Sequence, residues 1–362
     1  MKRIILTGGG TAGHVTPNIA LLDGLEENDY EIRYIGSYDG IEKTLIEKEG
    51  IPYTGISSGK LRRYFNLKNF SDPFRVGKGY FQALSLLKDF KPDVVFSKGG
   101  FVAVPVVLAA QTLHIPTIVH ESDMTPGLAN KLCIPRSEKV CCNFRDTLAY
   151  LPKDKAVFTG IPIRKELLSG NRLAGLKFAG LSANRPVLLV VGGSTGSVKV
   201  NTAIRSILPE LLKQFQVVHL CGKDKLDPTI SLDGYVQYEY IREELKDLLA
   251  AADIVVSRAG ANAICELLAL RKPNVLIPLS KNASRGDQIL NANSFARQGF
   301  SAVIEEEDIT EEALLSLIQN TYQNRQAFVD AMNRDSISDS AACVLQVIEE
   351  TVQAHSQESS KS

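Results

Sequence analysis

The sequence predicts an α/β protein built from two doubly wound, parallel-sheet domains. Three observations carry that reading. Short β-branched runs alternate with longer helical patterns; an opening strand, glycine turn and helix restart at residue 186; and 362 residues are too many for one ordinary core.

In chain order, "RIILTG", "EIRYIG", "PDVVFS", "IPTIVH" and "KVCCNF" read as strands. "TPNIALLDGLEEN" and "VAVPVVLAAQTLH" read as the helices between them. The stretch "PVLLVVGGSTGSVKVNTAIRSILPELL" (186–212) then repeats the design of "RIILTGGGTAGHVTPNIALLDGL" (3–25). Aligning Gly9-Gly10 on Gly192-Gly193 also brings Asn18 onto Asn201 and Ala20 onto Ala203. Each copy opens a Rossmann-like domain. The expected division is residues 1–160 and 161–338, joined through "YLPKDKAVFTGIPIR" (150–164). "NRLAGLKFAGLSANR" (171–185) reads as a glycine-punctuated loop after a short helix. A helix over 339–355 is expected to pack back on the first domain, and 356–362 to form a disordered tail. Two such domains facing each other would turn the carboxyl ends of both sheets toward one interdomain cleft, where open α/β sheets bind ligands.

Composition narrows the function. Hydrophobic content is 44% and charged content 23%, the balance of a soluble globular enzyme. Lys+Arg and Asp+Glu are both 41, so the whole-molecule field does not steer the chain toward nucleic acid. Six cysteines without C-x-x-C spacing argue for reduced thiols, against a disulfide framework and against a zinc site. The run "IIL" after Lys2-Arg3 is too short for a signal peptide, and no stretch approaches the ~20 apolar residues of a membrane span. The expectation is a cytoplasmic protein, or one that touches a membrane from outside.

"GGGTAGHVTP" (8–17) contains G-x-G-x-x-G at Gly8, Gly10 and Gly13. Such a turn brings backbone close to phosphate at a helix N-terminus. A dinucleotide site also needs an acid at the end of the second strand, about 20 residues on, to bind a ribose. Here that strand ends in Gly36-Ser37, and Asp39 lies beyond it, so the NAD reading falls behind. His14 follows the last glycine directly. It reads either as a helix-terminal histidine bonding backbone or as a general base kept neutral by the helix N-terminus.

The second half carries the more specific set. "GGSTGS" (192–197) is another phosphate-type turn, with Ser194 placed to donate a hydroxyl. "SRAGANAICE" (257–266) follows the strand "ADIVVS" and opens a helix, with Arg258 offering charge and the N–H groups near Gly260 and Ala261 an anion site. Asn262 and Glu266 stand four apart on one helical face. Glu266 reads as an acceptor for both ribose hydroxyls or as a solvent-facing acid. In "SRGDQILNANSF" (284–295), Ser284 and Asp287 form a capping-box pattern, while Gln288 and Asn291 share a face suited to sugar hydroxyls.

"GGGTAGH", "HESDMTPGLANK", "GIPIR", "GGSTGS", "SRAGANAICE" and "SRGDQILNA" follow, in order and spacing, the MurG glycosyltransferases, and the resemblance runs to roughly residue 340. It implies a two-domain GT-B glycosyltransferase without metal or other cofactor, transferring N-acetylglucosamine from its UDP derivative to lipid I with inversion, to give lipid II. It places the chain in peptidoglycan synthesis, at the cytoplasmic face of the cell membrane. The resemblance implies that Glu266 holds the ribose, that the Ile241 backbone reads the uracil, that Ser194 and Arg164 lie near the diphosphate and that Gln288 touches the sugar. Thr11, Ala12 and Gly13 would line the first-domain side, with His14 as base and Asp123 nearby. Ala12 stands in place of a glycine, Ile161 and Asp123 in place of asparagines, and Gly286-Asp287-Gln288 where two adjacent glutamines are common. These departures match Gram-positive members. A carboxylate at 123 beside a diphosphate needs a counter-charge or a proton.

The residues suffice for the chemistry. The chain has no D-x-D pair, so helix N-termini with Arg164 and Arg258 would stabilise the departing diphosphate, and His14 would take the acceptor's proton in one inverting displacement. "KLRRYFNLKNFSDPFRVGKGYFQAL" (60–84) holds six basic residues and one acid, interleaved with six aromatics. It reads either as a reversible patch for an anionic membrane, with Arg62, Arg63, Phe65, Lys68 and Phe70 among its contacts, or as buried aromatics beside solvated charges. The resemblance implies that the turn at Gly99-Gly100 in "SKGGFVAVP" helps bind the acceptor's diphosphate; the alternative is a turn that simply packs tightly. Two rival readings remain: a GT-B transferase acting on another lipid such as diacylglycerol, and a non-catalytic nucleotide-sugar-binding protein.

Overall fold

The computed structural model describes residues 1–59, 72–193, 196–281, 286–334 and 339–359. The chain forms two compact units, Met1–Arg164 with Asp339–Ser362, and Lys165–Ser338. Each is a parallel sheet flanked by helices.

In the first unit the strands are β1 (Lys2–Thr7), β2 (Tyr30–Ser37), β3 (Tyr53–Ile56), β4 (Val94–Ser97), β5 (Thr117–Glu121), β6 (Lys139–Cys142) and β7 (Ala156–Phe158). They lie in the order β3-β2-β1-β4-β5-β6-β7, every pair parallel. The second unit holds β8 (Val187–Val191), β9 (Gln216–Leu220), β10 (Tyr235–Tyr238), β11 (Ile254–Ser257), β12 (Asn274–Leu276) and β13 (Ala302–Val303). Their order is β10-β9-β8-β11-β12-β13, again all parallel. Parallel strands covered on both faces must be apolar throughout, which is why "VVFS" and "VLLVV" read as unbroken runs. Strand order reverses beside β1 and beside β8. The loops after β1 and β4, and after β8 and β11, therefore flank the two switch points.

The internal repeat has a structural meaning. Asn18 is buried and donates through Nδ2 to the Thr7 carbonyl (3.3 Å) and the Tyr34 hydroxyl (3.2 Å). Asn201, its counterpart, donates to the Cys221 carbonyl (2.9 Å) and meets His219 Nε2 at 3.0 Å. Each asparagine ties the helix after a glycine turn to the end of a strand.

Three expectations need correction. The stretch 150–164 is more than a join, because Ala156–Phe158 adds a seventh strand to the first sheet and residues 161–164, expected in the second domain, still belong to the first unit. Arg172–Ala179 is a helix rather than part of a loop, capped by Asn171 accepting from Ala174 N and closed by Gly180. The final helix runs Ser340–Ser359, past the expected tail boundary, its last turns held by bonds such as Ser356 Oγ to the Val352 carbonyl. Its apolar face (Val344, Val347, Ile348 and Val352) shares a core with Ile4, Leu6, Leu25 and Ile32 of the first unit.

Candidate functional site

On the first unit the site is built around the β1 loop. Gly10 N donates to Glu42 Oε2 (3.1 Å), whose other oxygen accepts from Ser37 N (3.1 Å) and the Ser37 hydroxyl. Glu42 is fully buried, so a carboxylate inside the protein anchors the glycine turn. Its bonds are spent on two backbone N–H groups and the Ser37 hydroxyl. The β4 loop presses against the same turn: a side chain at Gly100 would stand 2.3 Å from the Gly9 carbonyl oxygen, at a φ of +84°. Gly100 is thus a position of tight packing. Gly99 lies beside it, next to Asn130.

His14 closes a 3-10 turn, Ala12–His14, and the helix proper begins at Thr16. The expected cause of a low pKa, a helix N-terminus, is accordingly replaced by others. Burial first, then the Lys98 ammonium, lower His14 from 6.5 to about 4, against the opposing pull of the Gly9 carbonyl and Glu42. The ring is neutral at pH 7. Its Nδ1 lies 3.0 Å from the Thr11 hydroxyl, and Ala12 and Gly13 are half-buried beneath it.

The β5 loop is shaped by Glu121, buried and accepting from Asp123 N (2.9 Å), Gly127 N (3.0 Å) and Asn130 Nδ2 (2.8 Å). Thr147 donates to the Asp123 carbonyl, so Asp123 is held by its backbone while its side chain is half-buried. Arg164 ends this unit, with a buried Nε that meets no hydrogen-bond acceptor among the described residues.

On the second unit the β8 and β11 loops meet. Ser197 caps the helix Val198–Ser206, accepting from Val200 N, and its hydroxyl also accepts from Arg258 Nη2 at 2.6 Å. Arg258 goes on to Glu306 and to the Ile277 (3.1 Å) and Pro278 (3.3 Å) carbonyls. The guanidinium expected to face a diphosphate is instead a buried tie between loops. Burial works to raise the Glu306 pKa, yet Arg258 and then Lys199 outweigh it and hold the carboxyl below its usual range.

Asn291 also departs from expectation. It is fully buried and donates to the Ala259 carbonyl (3.3 Å), bracing the loop after β11. Gln288 accepts from Leu279 N (3.0 Å) and is half-buried. The helix Ala261–Ala269 starts at Gly260 with no side-chain cap, its Ala261 buried, and Asn262 and Glu266 half-buried one turn apart. Ile241 is buried behind the exposed Tyr240, which Arg242 overlies. Ser194, Arg62, Arg63, Phe65, Lys68, Phe70 and Ser284 lie outside the described residues. From the adjoining helix Asp72–Phe90, Phe74 and Phe81 are 82% and 68% exposed, beside exposed Arg75 and Lys78. Those two rings are not core aromatics. Tyr80 by contrast packs on the core and donates to Thr112.

A model of the glycosyltransferase family 28 N-terminal domain matches residues 4–142, and one of the family's C-terminal domain matches 187–347. A UDP-N-acetylglucosamine--N-acetylmuramyl-(pentapeptide) pyrophosphoryl-undecaprenol N-acetylglucosamine transferase of Lachnoclostridium phytofermentans is 67% identical, over 97% of this chain and 99% of that one. The chain belongs to glycosyltransferase family 28, in its MurG branch. A like-named transferase of Lachnospira eligens is 63% identical over the same shares. The crystal structure of Acinetobacter baumannii MurG superposes with a TM-score of 0.74 at 26% identity, covering 97% of this chain and all of that one. Reading this family 28 chain by motif missed Glu42, Lys98 and Glu306, each isolated in sequence from the glycine turn it braces.

Proposed function

We propose that the chain transfers N-acetylglucosamine from UDP-N-acetylglucosamine to lipid I, giving lipid II with inversion. The observation that carries this reading is the 67% identity, over almost the full length of both chains, to a transferase of that name. The acceptor hydroxyl attacks the sugar's anomeric carbon as the bond to the diphosphate breaks. His14 takes the hydroxyl proton. Nδ1 lies 3.0 Å from Thr11 Oγ1, and in the tautomer that carries its hydrogen on Nδ1 the ring keeps the Nε2 lone pair that a base needs. The buried, unpartnered Nε of Arg164 supports an anion-binding role for that residue. The N-terminus of Ala261–Ala269, whose N-cap Gly260 has no side chain to cap it, favours an anion by its partial charge, and Glu266 one turn along suits a ribose. Gln288 stands for the sugar, and Ile241 for the base.

Phe74 and Phe81, exposed beside Arg75 and Lys78, support peripheral docking on an anionic membrane, the side from which a lipid acceptor comes. Among the described residues no helix is long and apolar enough to cross a membrane. Charge reversal at Arg62, Arg63 and Lys68 should weaken binding to anionic vesicles; unchanged binding counts against docking there.

The test is transfer of radiolabel from UDP-N-acetylglucosamine to a lipid I analogue in EDTA, comparing wild type, His14→Ala and Glu266→Ala. The expected result is label transfer by wild type, weakened donor binding in Glu266→Ala, and lost turnover with retained UDP binding in His14→Ala. Binding of the UDP sugar without transfer to lipid I would move the acceptor to another lipid.

A further inference from the structure

Lys98 opens the β4 loop, yet its side chain is only 1% exposed. Its backbone N–H donates to the Thr7 carbonyl (2.9 Å), and its Cβ lies 3.1 Å from where a side chain at Gly8 would begin. The ammonium reaches across to β5, where it donates to His120 Nδ1 (2.8 Å) and to the Ser122 hydroxyl. His120 Nε2 in turn lies 2.7 Å from the Gly160 carbonyl, beyond β7. The chemistry of these groups leaves one arrangement. A carbonyl only accepts and an ammonium only donates, so Nε2 carries the hydrogen and Nδ1 the lone pair. One buried cation thereby joins the ends of β1, β4, β5 and β7 under the turn that leads to His14.

We infer that Lys98 is a positioning residue for the transfer reaction: its ammonium fixes His120 as the Nε2–H tautomer and sets the charge environment of His14 through the shared glycine turn. This rests on the reading of His14 as the base. The groups acting on His14 are Lys98, Glu42, the Gly9 carbonyl and the Thr11 hydroxyl; those acting on the His120 ring are Lys98, the Gly160 carbonyl and the backbone of His120 itself. Lys98 is the cation in both sets, so its removal acts on both imidazoles in one direction. Burial comes first and Lys98 second in holding His120 well below 6.5.

The experiment compares wild type, Lys98→Gln and Lys98→Arg by histidine side-chain nitrogen NMR and by the pH profile of transfer. In wild type, His120 shows hydrogen on Nε2 alone and stays neutral through its ordinary range near 6.5. Lys98→Gln raises the His14 titration and the acid limb of kcat/KM together by about one pH unit, and His120 begins to titrate. Lys98→Arg keeps both near wild type, and the KM for the UDP sugar changes less than twofold in either variant. A folded Lys98→Gln protein with unmoved His14 and His120 titrations overturns the inference. So does a wild-type His120 with hydrogen on Nδ1, a result that needs no variant to fold. Should wild type transfer nothing, the functional reading falls while the two NMR titrations still judge Lys98.

Discussion

Arg258 and Glu306 form an ion pair whose side chains are 10% and 4% exposed, and it joins the loop after β11 to the segment after β13. Ser197 and two backbone carbonyls complete the guanidinium's bonds. Removing one partner strands the other charge in the interior, at a cost of about 3–5 kcal/mol. Glu306→Ala should therefore lower stability in urea melts by about 3 kcal/mol and weaken UDP binding by loosening the loop. Glu306→Gln, which still accepts a bond, should lose less. A loss below about 1 kcal/mol for Glu306→Ala, the range of an exposed pair, counts against the tie.

The protonation of His14 gives a kinetic prediction. Its pKa of about 4 in the free protein places the acid limb of kcat/KM near pH 4. A bound diphosphate is an anion and favours the imidazolium, so the acid limb of kcat should lie higher than that of kcat/KM. His14→Ala should lower kcat by about 10²–10⁴-fold and abolish that limb. An acid limb that survives in the variant assigns the base elsewhere.

How much of this was legible in the sequence follows from what each residue depends on. Both sheets were readable because doubly covered parallel strands must be apolar throughout, and the glycine turns because only short local spacing defines them. The donors were not. Arg258 and Asn291 have the right chemistry for a ligand, but partners at Glu306 and Ala259, 48 and 32 residues away, consume it. Lys98 looked like one more residue of a glycine turn until His120 was placed beside it. The helix Arg172–Ala179 was hidden by Gly175, whose bareness lets it lie against the Asp247 carbonyl.

Buried histidines make the fold acid-sensitive. His14 is lowered to about 4 and His219 to about 3, the latter by burial first and Arg205 second, and His120 well below 6.5. Each folded pKa lies under the unfolded value. Between pH 6.5 and about 4 the unfolded chain binds protons that the native one refuses, so stability is full above 6.5 and falls as pH drops through that window. The melting midpoint should fall by roughly 5–10 °C from pH 7 to pH 5. His219→Gln, sparing the contacts with Asn201 and Tyr235, should flatten part of that slope. A midpoint constant across the window contradicts the assignment.

The C-terminal helix supplies the last prediction. Val344, Val347, Ile348, Thr351 and Val352 recur at helical spacing and are buried on one face. Ile348 is fully buried among β1, β2 and the helix Leu22–Glu27, while Leu345 fills the space left by Gly24. At the rim, Lys2 Nζ meets Glu349 Oε2 at 2.6 Å, a part-buried pair. Ile348→Ala should then cost about 2–5 kcal/mol, and Glu349→Ala less, because its loss leaves no cavity in the core. None of the residues assigned to the reaction lies on this helix, so a stabilised Ile348→Ala protein at low temperature should retain its kcat. Urea melts of the two variants, with turnover measured at 10 °C, separate packing from chemistry: equal losses in both variants, or a kcat that falls with Ile348 before the protein unfolds, would give this helix a part in the reaction itself.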